Sequence, residues 1–397
     1  MGRPIFANAP EVTWNSGQEL WQERQLAIEK ENPQSAKIIV VPTHNDVTRN
    51  LMRTFKFQKS LSTMLPPMPV TNIKHSDGNV RNDFPEVEVG ELVYLVSSVR
   101  GPQDLFRLLD IAHYLKNICG IKHLTGVLPT LGISREDKNV KNGTLEFRPS
   151  TIGLMTSMQM LKLNFDSLIV LEPHSSATQA YAAMHNLPVL PLSPWQFLIE
   201  QVMPTVDQER TIVVNGEPRI INQDTAVVIR PDKGRNLAAT RLQEHLHLPG
   251  VAFDKLRIDG RTTTAYELSR ENQELVQGKI ALLFDDEGSS LGTMHSILEK
   301  LDDYGIDNLV SIFMHLKLSH GWQERRKHHK WSRAFASDSI QPIADPKEFR
   351  QLFDIISLAK FIYQIIEADM LRTDFWNDTQ FSPMILQPNS QEWKGTY

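Results

Sequence analysis

The amino-acid sequence predicts an α/β protein with two domains, each a mainly parallel sheet covered by helices. One observation is that apolar runs of strand length alternate with amphipathic stretches at helical spacing through most of the 397 residues. Parallel strands joined by crossover helices produce this pattern. A second observation is that the pattern occurs twice, in a chain long enough to bury two cores of ordinary size.

The first half of the chain contains four apolar runs that predict strands and two periodic stretches that predict helices. The strands are expected at residues 37–42, 92–98, 124–129 and 168–171, and the helices at 104–117 and 151–163. The second half repeats this plan. Its strands are expected at 225–230, 251–258, 280–286 and 308–315, and its helices at 236–246 and 292–304.

Three prolines in LPVLPLSP, residues 187–194, predict the break between the two domains. Apolar residues at three-to-four spacing predict one late helix that ends near Ile366, followed from Thr373 by a weakly structured tail. The predicted organisation has four parts: an N-terminal extension at 1–36, a first domain at 37–190, a second domain at 191–345, and a helix and tail at 346–397.

Charge and composition exclude several classes of protein. The formal net charge of −5 gives no reason to expect a nucleic-acid or membrane partner. No apolar run reaches the length of a membrane span and the first residues lack a basic-then-hydrophobic pattern, which predicts a cytoplasmic protein. The single cysteine, Cys119, is expected to pack rather than react. The basic run GWQERRKHHKW, 321–331, suggests a solvated face more than a nucleic-acid patch.

The most informative segment is KIALLFDDEGSSLGT, residues 279–293, which predicts a buried strand, a loop of small residues and the start of a helix. Backbone N–H groups at a helix start favour a phosphate. The carboxylates of Asp285 and Asp286 can accept hydrogen bonds from ribose hydroxyls or hold a divalent metal. The segment therefore predicts a site for a phosphorylated ribose, although an ordinary turn between a strand and a helix is the alternative.

Six segments, in order along the chain, resemble the ribose-phosphate diphosphokinase family, which makes 5-phosphoribosyl 1-diphosphate. The resemblance extends from about residue 37 to about residue 366. The segments are HSDGN at 75–79, LGISREDK at 131–138, EPHSS at 172–176, RPDKG at 230–234, FDKLR at 253–257 and DDEGSSLGT at 285–293.

The resemblance implies two phosphoribosyltransferase-like domains and a role for each matched residue. It implies Lys255 and Arg257 as catalytic residues and Mg²⁺ as cofactor, held by His174 and Asp232. For ATP it implies His75, Asp77, Asn79, Arg135, Glu136, Asp137 and His174. For the acceptor it implies Asp285, Asp286, Gly288, Ser289, Ser290, Leu291, Gly292 and Thr293, with Arg235 as an added charge.

The resemblance implies that the loop at residues 289–291 binds a phosphate, and two positions of this phosphate loop depart from the family pattern. Ser289 stands where the family has an aspartate, and Leu291 stands where it has a small residue. Arg235 adds a positive charge where small residues are usual. These changes suit a ribose with a larger 5-substituent, such as ADP-ribose, and the side chain of Leu291 is expected to stack on a base or to block it.

The resemblance implies a Mg²⁺-dependent enzyme that moves the β,γ-diphosphoryl group of ATP to the anomeric hydroxyl of a ribose and releases AMP. The acceptor is ribose 5-phosphate, or ADP-ribose in NAD salvage. An ATP site completed by residues 75–79 of a neighbouring subunit implies a homo-oligomer, from dimer to hexamer. The alternatives are a phosphoribosyltransferase, which lacks the ATP segments, and a non-catalytic regulatory subunit, in which degraded catalytic or metal positions would be common.

Overall fold

The computed structural model describes residues 14–31, 36–41, 68–69, 71–74, 80–83, 92–135, 140–141, 144–145, 149–175, 177–231, 237–257, 264–340 and 346–386. These residues fall into two compact units, drawn from Met1–Ser193 with Ala359–Tyr397 and from Pro194–Leu358. Each unit contains a six-stranded sheet in which all neighbouring strands are parallel. The predicted α/β fold class is therefore confirmed.

The first unit is built on a sheet of near-continuous apolar strands, as expected for strands buried on both faces. The strands are β1 (Ala36–Val40), β2 (Met68–Pro69), β5 (Leu92–Val96), β6 (His123–Leu128), β9 (Ser167–Leu171) and β10 (Val189–Leu192). Their order across the sheet is β10-β9-β6-β5-β1-β2. Two antiparallel hairpins accompany it, β3 (Thr71–Lys74) with β4 (Val80–Asp83) and β7 (Val140–Lys141) with β8 (Thr144–Leu145).

The helices of the first unit include some that hydrophobic periodicity predicts. In α2 (Pro102–His113) apolar residues recur every three or four positions and all but Phe106 are buried, and Pro102 opens the helix where its missing N–H costs nothing. The helices are α1 (Trp14–Glu31), α2 (Pro102–His113) with a π-helical turn at Tyr114–Ile118, a 3₁₀ turn at Gly132–Arg135, α3 (Pro149–Asn164), α4 (Ala177–Met184) and α11 (Ala359–Met370).

A buried ion pair joins the N-terminal and C-terminal helices of this unit to its sheet. Arg24 of α1 lies 2.6 Å from Asp369 of α11, and both side chains are almost fully buried. The hydroxyl of Tyr94 on β5 donates to the same carboxylate at 2.7 Å, and Arg24 donates to Thr125 on β6 at 2.7 Å. Hydrogen bonds to both charged groups offset part of the cost of burying them.

The prediction of a weakly structured tail from Thr373 is wrong as far as residue 386. Phe375 and Phe381 are buried, and the ring of Phe375 meets the edge of Trp21 at 6.4 Å. Ile385 is buried and forms an isolated bridge with Leu192 of β10. Hydrophobic periodicity does not predict the burial of isolated apolar residues, because that burial depends on contacts with residues distant in the chain.

The second unit is built on a sheet with the strand order β15-β14-β18-β19-β20-β21. The strands are β14 (Ala226–Arg230), β15 (Gly250–Ala252), β18 (Ile280–Gly288), β19 (Asn308–Leu316), β20 (Trp331–Ser337) and β21 (Asp354–Ile356). A small antiparallel sheet contains β11 (Thr205–Val206), β12 (Glu209–Val214) and β13 (Glu217–Ile220), and a hairpin contains β16 (Asp254–Arg257) and β17 (Thr264–Glu267).

The helices of the second unit cover the hydrophobic core that lines its sheet. In α8 the apolar residues Met294, Ile297, Leu298 and Leu301 are buried, as their spacing predicts. The helices are α5 (Trp195–Val202), α6 (Leu237–Leu246), α7 (Arg270–Val276), α8 (Gly292–Asp303), α9 (Trp322–Arg326) and α10 (Pro346–Leu352).

Two long elements expected from the sequence are each divided in the structure. The strand expected at 251–258 is split at the buried Phe253 into β15 and β16, which belong to different sheets. The single late helix is wrong, because α10 and α11 are separated by β21, whose residues pair with β20. Short apolar runs such as FDII suit either a helix or a strand, and the open edge of β20 selects the strand.

Among the described residues, none of the helices combines the length and the apolar character needed to cross a lipid bilayer.

Replacing Arg24 by alanine should lower the free energy of unfolding by about 3–5 kcal/mol, because Asp369 would remain buried without its counter-charge. Urea denaturation followed by circular dichroism measures the loss. Arg270→Ala is the matched control, since its pair with Glu274 spans 3.6 Å between two largely exposed side chains and contributes under about 1 kcal/mol. Equal losses in the two variants would contradict the role given to the buried pair.

Candidate active site

Polar residues of the second unit gather at the carboxyl edge of its parallel sheet. Strands β18 and β19 extend there as far as Gly288 and Leu316, with Glu287 in register with His315. Ligands of open parallel sheets bind beyond this edge. The strand, loop and helix start predicted from residues 279–293 lie here as β18, residues 289–291 and α8.

Two carboxylates near the end of β18 share a hydrogen bond. Burial first, and the charge of Asp286 second, raise the pKa of the Asp285 carboxyl well above its usual range. The hydrogen bond between the two side chains raises that pKa further, because it needs a proton on one of them. A cation or a pair of hydroxyl donors placed at these carboxylates would reduce their mutual repulsion, as that proton does.

A third carboxylate of β18 has its own cation. The ammonium of Lys317 donates to Glu287 at 3.0 Å, and the side chain of Glu287 is only 5% exposed. With Lys317 balancing Glu287, the charge offered at the strand end is chiefly that of the Asp285–Asp286 pair.

Gly288 brings the end of β18 against β19 more closely than a larger residue would allow. A Cβ at this position would lie 2.5 Å from the side chain of Leu316 and 2.8 Å from that of Phe313. The carbonyl of Gly288 accepts hydrogen bonds from the N–H groups of Lys317 and Leu318, at 2.8 and 3.3 Å. The phosphate loop therefore starts from a fixed point on the sheet.

The loop turns into α8 through Leu291, whose φ of 59° is in the left-handed region. Its side chain is 4% exposed and belongs to the hydrophobic core with Met294 and Leu298. The expectation that this side chain meets the acceptor is therefore corrected, because it faces the core and only the backbone of Leu291 borders the loop.

The first turn of α8 has backbone donors to offer. Leu291 makes no side-chain hydrogen bond to the helix, and the N–H of Gly292 reaches Ser290 Oγ at 3.3 Å. Within the described part of the chain, no side chain accepts from the N–H groups of Thr293 and Met294. Such a helix start favours an anion, as the sequence predicts.

Neighbouring elements hold the loop through residues that sequence reasoning missed. Ser289 donates to the hydroxyl of Ser319 at 3.2 Å, and the guanidinium of Arg325 donates to the carbonyl of Ser290 at 2.6 Å. The solvated face expected for residues 321–331 is wrong for Trp322 and Trp331, which are buried. Two tryptophans at the ends of a basic run were the available signal that the run packs against the protein.

Some of the other predicted site residues lie within the described residues and some lie outside them. His174 is half-buried and follows β9, beyond Glu172 with its φ of 43°. Lys255 and Arg257 lie on β16, paired in register with Tyr266 and Thr264 of β17, and the backbone of Arg135 ends the 3₁₀ turn. The remaining ones lie outside the described residues: His75, Asp77, Asn79, Glu136, Asp137, Asp232 and Arg235.

A group of three possible metal ligands in the described ranges lies at the far end of α8 from the loop. Asp302, His328 and His329 offer ligand atoms within 4.8 Å of one another. The N–H of Lys330 donates to His328 Nδ1 at 3.3 Å, which places the proton of the neutral ring on Nε2. That proton occupies the nitrogen that lies 3.8 Å from Asp302, so in this state His328 has no lone pair to offer a metal there.

Comparison with known proteins supports the resemblance drawn from the motifs. No family model matches the chain. The ribose-phosphate pyrophosphokinase of Saccharolobus solfataricus is 25% identical over 272 residues, which are 67% of this chain and 84% of that protein. The enzyme of the same name from Pyrococcus furiosus is 27% identical over 263 residues, 65% of this chain and 82% of that protein.

A solved structure shows the same fold. The phosphoribosylpyrophosphate synthetase of Mycobacterium smegmatis aligns with a TM-score of 0.65 and 19% identity, covering 85% of this chain and 100% of that one. The two sheets of this chain are therefore of the phosphoribosyltransferase-like kind expected from the resemblance.

Replacing Asp286 by asparagine should stabilise the second unit at alkaline pH. Because folding raises the pKa of Asp285, its protonated carboxyl contributes stability that is fully present below the ordinary pKa of an aspartate. That contribution is lost as the pH rises through the raised pKa. Asp286→Asn removes part of that rise, so we expect a thermal midpoint roughly 2–4 °C higher at pH 8.

The difference between the two proteins should shrink at pH 4, because the raised pKa of Asp285 favours its protonated form at low pH. Asp303→Asn on the exposed surface of α8, 3.5 Å from Lys300, is the control and should leave both midpoints nearly unchanged. A midpoint at pH 8 that falls in Asp286→Asn would show that the two carboxylates do not repel each other.

Proposed function

We propose that this chain, a divergent member of the ribose-phosphate pyrophosphokinase family, transfers the β,γ-diphosphoryl group of ATP to the anomeric hydroxyl of a 5-substituted ribose. The observation that carries the proposal is the arrangement at the end of β18. A pair of carboxylates, Asp285 with its raised pKa and Asp286 beside it, precedes a loop that offers N–H groups at the start of α8. One part suits vicinal hydroxyls and the other suits a phosphate.

The acceptor would be held at both ends. The hydroxyls on carbons 2 and 3 of the ribose donate to Asp285 and Asp286, and the phosphate on carbon 5 accepts from the N–H groups of residues 290–293. Holding both ends fixes where the anomeric hydroxyl points. Fixed orientation of this kind is a large part of catalysis in phosphoryl transfer, where the protein takes little part in covalent chemistry.

Lys255 and Arg257 would stabilise the charge that spreads over the phosphoryl oxygens in the transition state. They stand two positions apart on β16, and alternate residues of a strand share a face. In the proposed step the anomeric hydroxyl releases its proton to solvent and its oxygen forms a bond to the β-phosphorus of ATP. The bond from that phosphorus to the oxygen bridging the α-phosphate breaks, and AMP leaves with that oxygen.

Mg²⁺ is the proposed cofactor, and the donors at this edge of the sheet suit it. The carboxyl oxygens of Asp285 and Asp286 are hard ligands, and a cation bound beside them would lower the raised pKa of Asp285. By resemblance His174 and Asp232 hold the ion near ATP. When bound, the ion neutralises charge on the phosphates. The proposal includes a cytoplasmic homo-oligomer whose ATP site takes residues 75–79 from a neighbouring subunit.

ADP-ribose is the acceptor that we propose over ribose 5-phosphate, which would place the reaction in NAD salvage. The hydroxyl of Ser289, in the family's aspartate position, is bonded to Ser319 and carries no charge. A loop with one fewer negative charge repels a diphosphate less than the family loop does. The bulk of Leu291 no longer enters the argument, since its side chain is in the core.

Lys255→Ala and Arg257→Ala should each reduce AMP formation by roughly 10²-fold or more, because each removes a charge that acts on the transition state. The test follows AMP release from ATP with Mg²⁺ and either acceptor, and compares each variant with Arg270→Ala, an exposed cation of α7. Wild-type rates in Lys255→Ala would refute the assigned catalytic residues. No AMP release by the natural protein with either acceptor would refute the proposed function.

Measured side by side, ADP-ribose should have a higher kcat/KM than ribose 5-phosphate, by an amount equivalent to about 1–3 kcal/mol. Ser289→Asp should reduce that preference by restoring the negative charge of the loop. Leu291 is left unchanged in this test, because alanine there would leave a cavity in the core. Preference of the natural protein for ribose 5-phosphate would refute ADP-ribose as the acceptor and leave the diphosphokinase proposal standing.

A further inference from the structure

Arg325 of α9 lies over the phosphate loop in a space made by two glycines. A Cβ at Gly292, the first residue of α8, would be 3.9 Å from the guanidinium carbon of Arg325. A Cβ at Gly321, whose φ is 84°, would be 3.3 Å from Nη1. The half-buried guanidinium therefore lies against backbone on two sides, at the same loop that would hold the acceptor's first phosphate.

The charge of Arg325 lacks a counter-charge within the described residues. Its Nη1 donates to the neutral carbonyl of Ser290, and no carboxylate of the described ranges pairs with the guanidinium. The next basic residues of the segment differ in this respect, since Lys327 pairs with Glu324 at 2.7 Å and Arg326 donates to two carbonyls.

The position of this charge is unfavourable unless an anion joins it. A cation beside the N-terminus of α8 faces the positive end of the helix dipole, which stabilises anions and disfavours cations. The N–H groups of Thr293 and Met294 point out of the same helix end without a side-chain partner in the described part of the chain. A ligand with more than one phosphate would accept hydrogen bonds from both the guanidinium and these N–H groups.

We infer that Arg325 is a specificity-determining residue that binds the second phosphate of an acceptor whose ribose carries a 5-diphosphate. The inference rests on the proposed function, because it takes the loop as the site of the first phosphate. The two phosphates of a diphosphate are joined by one bridging oxygen. The loop N–H groups take the phosphate next to the ribose and the guanidinium takes the one beyond it.

The planar guanidinium suits this role better than an ammonium would. Nη1 is held by the Ser290 carbonyl, which fixes the plane of the group and leaves further N–H donors for two phosphate oxygens. The sequence predicts an extra positive charge from Arg235, which lies outside the described residues. Arg325 supplies such a charge at the loop itself.

Calorimetric titration with ADP-ribose and with ribose 5-phosphate, without ATP, tests the inference on the full chain. Arg325→Ala should weaken ADP-ribose binding by roughly 10- to 100-fold, the loss expected for a charge-assisted hydrogen bond, and ribose 5-phosphate binding by less than about 3-fold. Arg325→Lys keeps the charge without the planar fork and should fall between alanine and the natural protein for ADP-ribose. Lys327→Ala removes a neighbouring charge from the end of α9 and should change neither affinity.

An equal loss for the two ligands would overturn the inference, because it would show that Arg325 only holds the loop through Ser290. Unchanged ADP-ribose binding in Arg325→Ala, or no ADP-ribose binding by the natural protein, would also overturn it. If the alanine variant does not fold, the same differential measured in Arg325→Lys decides. Since binding and not AMP release is the readout, failure of this inference is distinguishable from failure of the proposed reaction.

Discussion

The site in the second unit depends on the close approach of β18 to β19 at Gly288. A Cβ at this residue would clash with the side chains of Leu316 and Phe313, and its carbonyl accepts from the N–H groups of Lys317 and Leu318, which follow β19. The carboxylate pair precedes this point and the phosphate loop follows it. Their separation is therefore set by the sheet, whose buried strands do not shift as a surface loop would.

The distribution of charge around this point gives the site its chemistry. Glu287 is balanced by Lys317 at 3.0 Å, whereas burial and the charges of Asp286 and Glu287 raise the pKa of the Asp285 carboxyl. On the other side of Gly288 lie an open helix start and the guanidinium of Arg325. The electrostatic character thus changes from negative to positive within a few residues. A ligand with hydroxyls at one end and a phosphate at the other matches that arrangement.

The parts that the sequence predicts are those encoded by neighbouring residues. The strand, loop and helix at 279–293 are placed within two residues because apolar periodicity and small loop residues are local properties. The roles of Lys317, Ser319 and Arg325 depend on β19 and α9 packing beside the loop, which no local pattern contains. Leu291 was misjudged because a left-handed backbone turns its side chain into the core, and β21 because strand pairing with β20 outweighs a helical spacing.

The central claim is that the end of β18 binds a ribose by its hydroxyls and its 5-phosphate. A crystal structure with ribose 5-phosphate or ADP-ribose bound tests this most directly. We expect the ribose hydroxyls within hydrogen-bond distance of the Asp285 and Asp286 carboxyls, and the 5-phosphate within the same distance of the N–H groups of residues 290–293. Sugar density at another edge of the sheet, or a phosphate distant from the start of α8, would contradict the account.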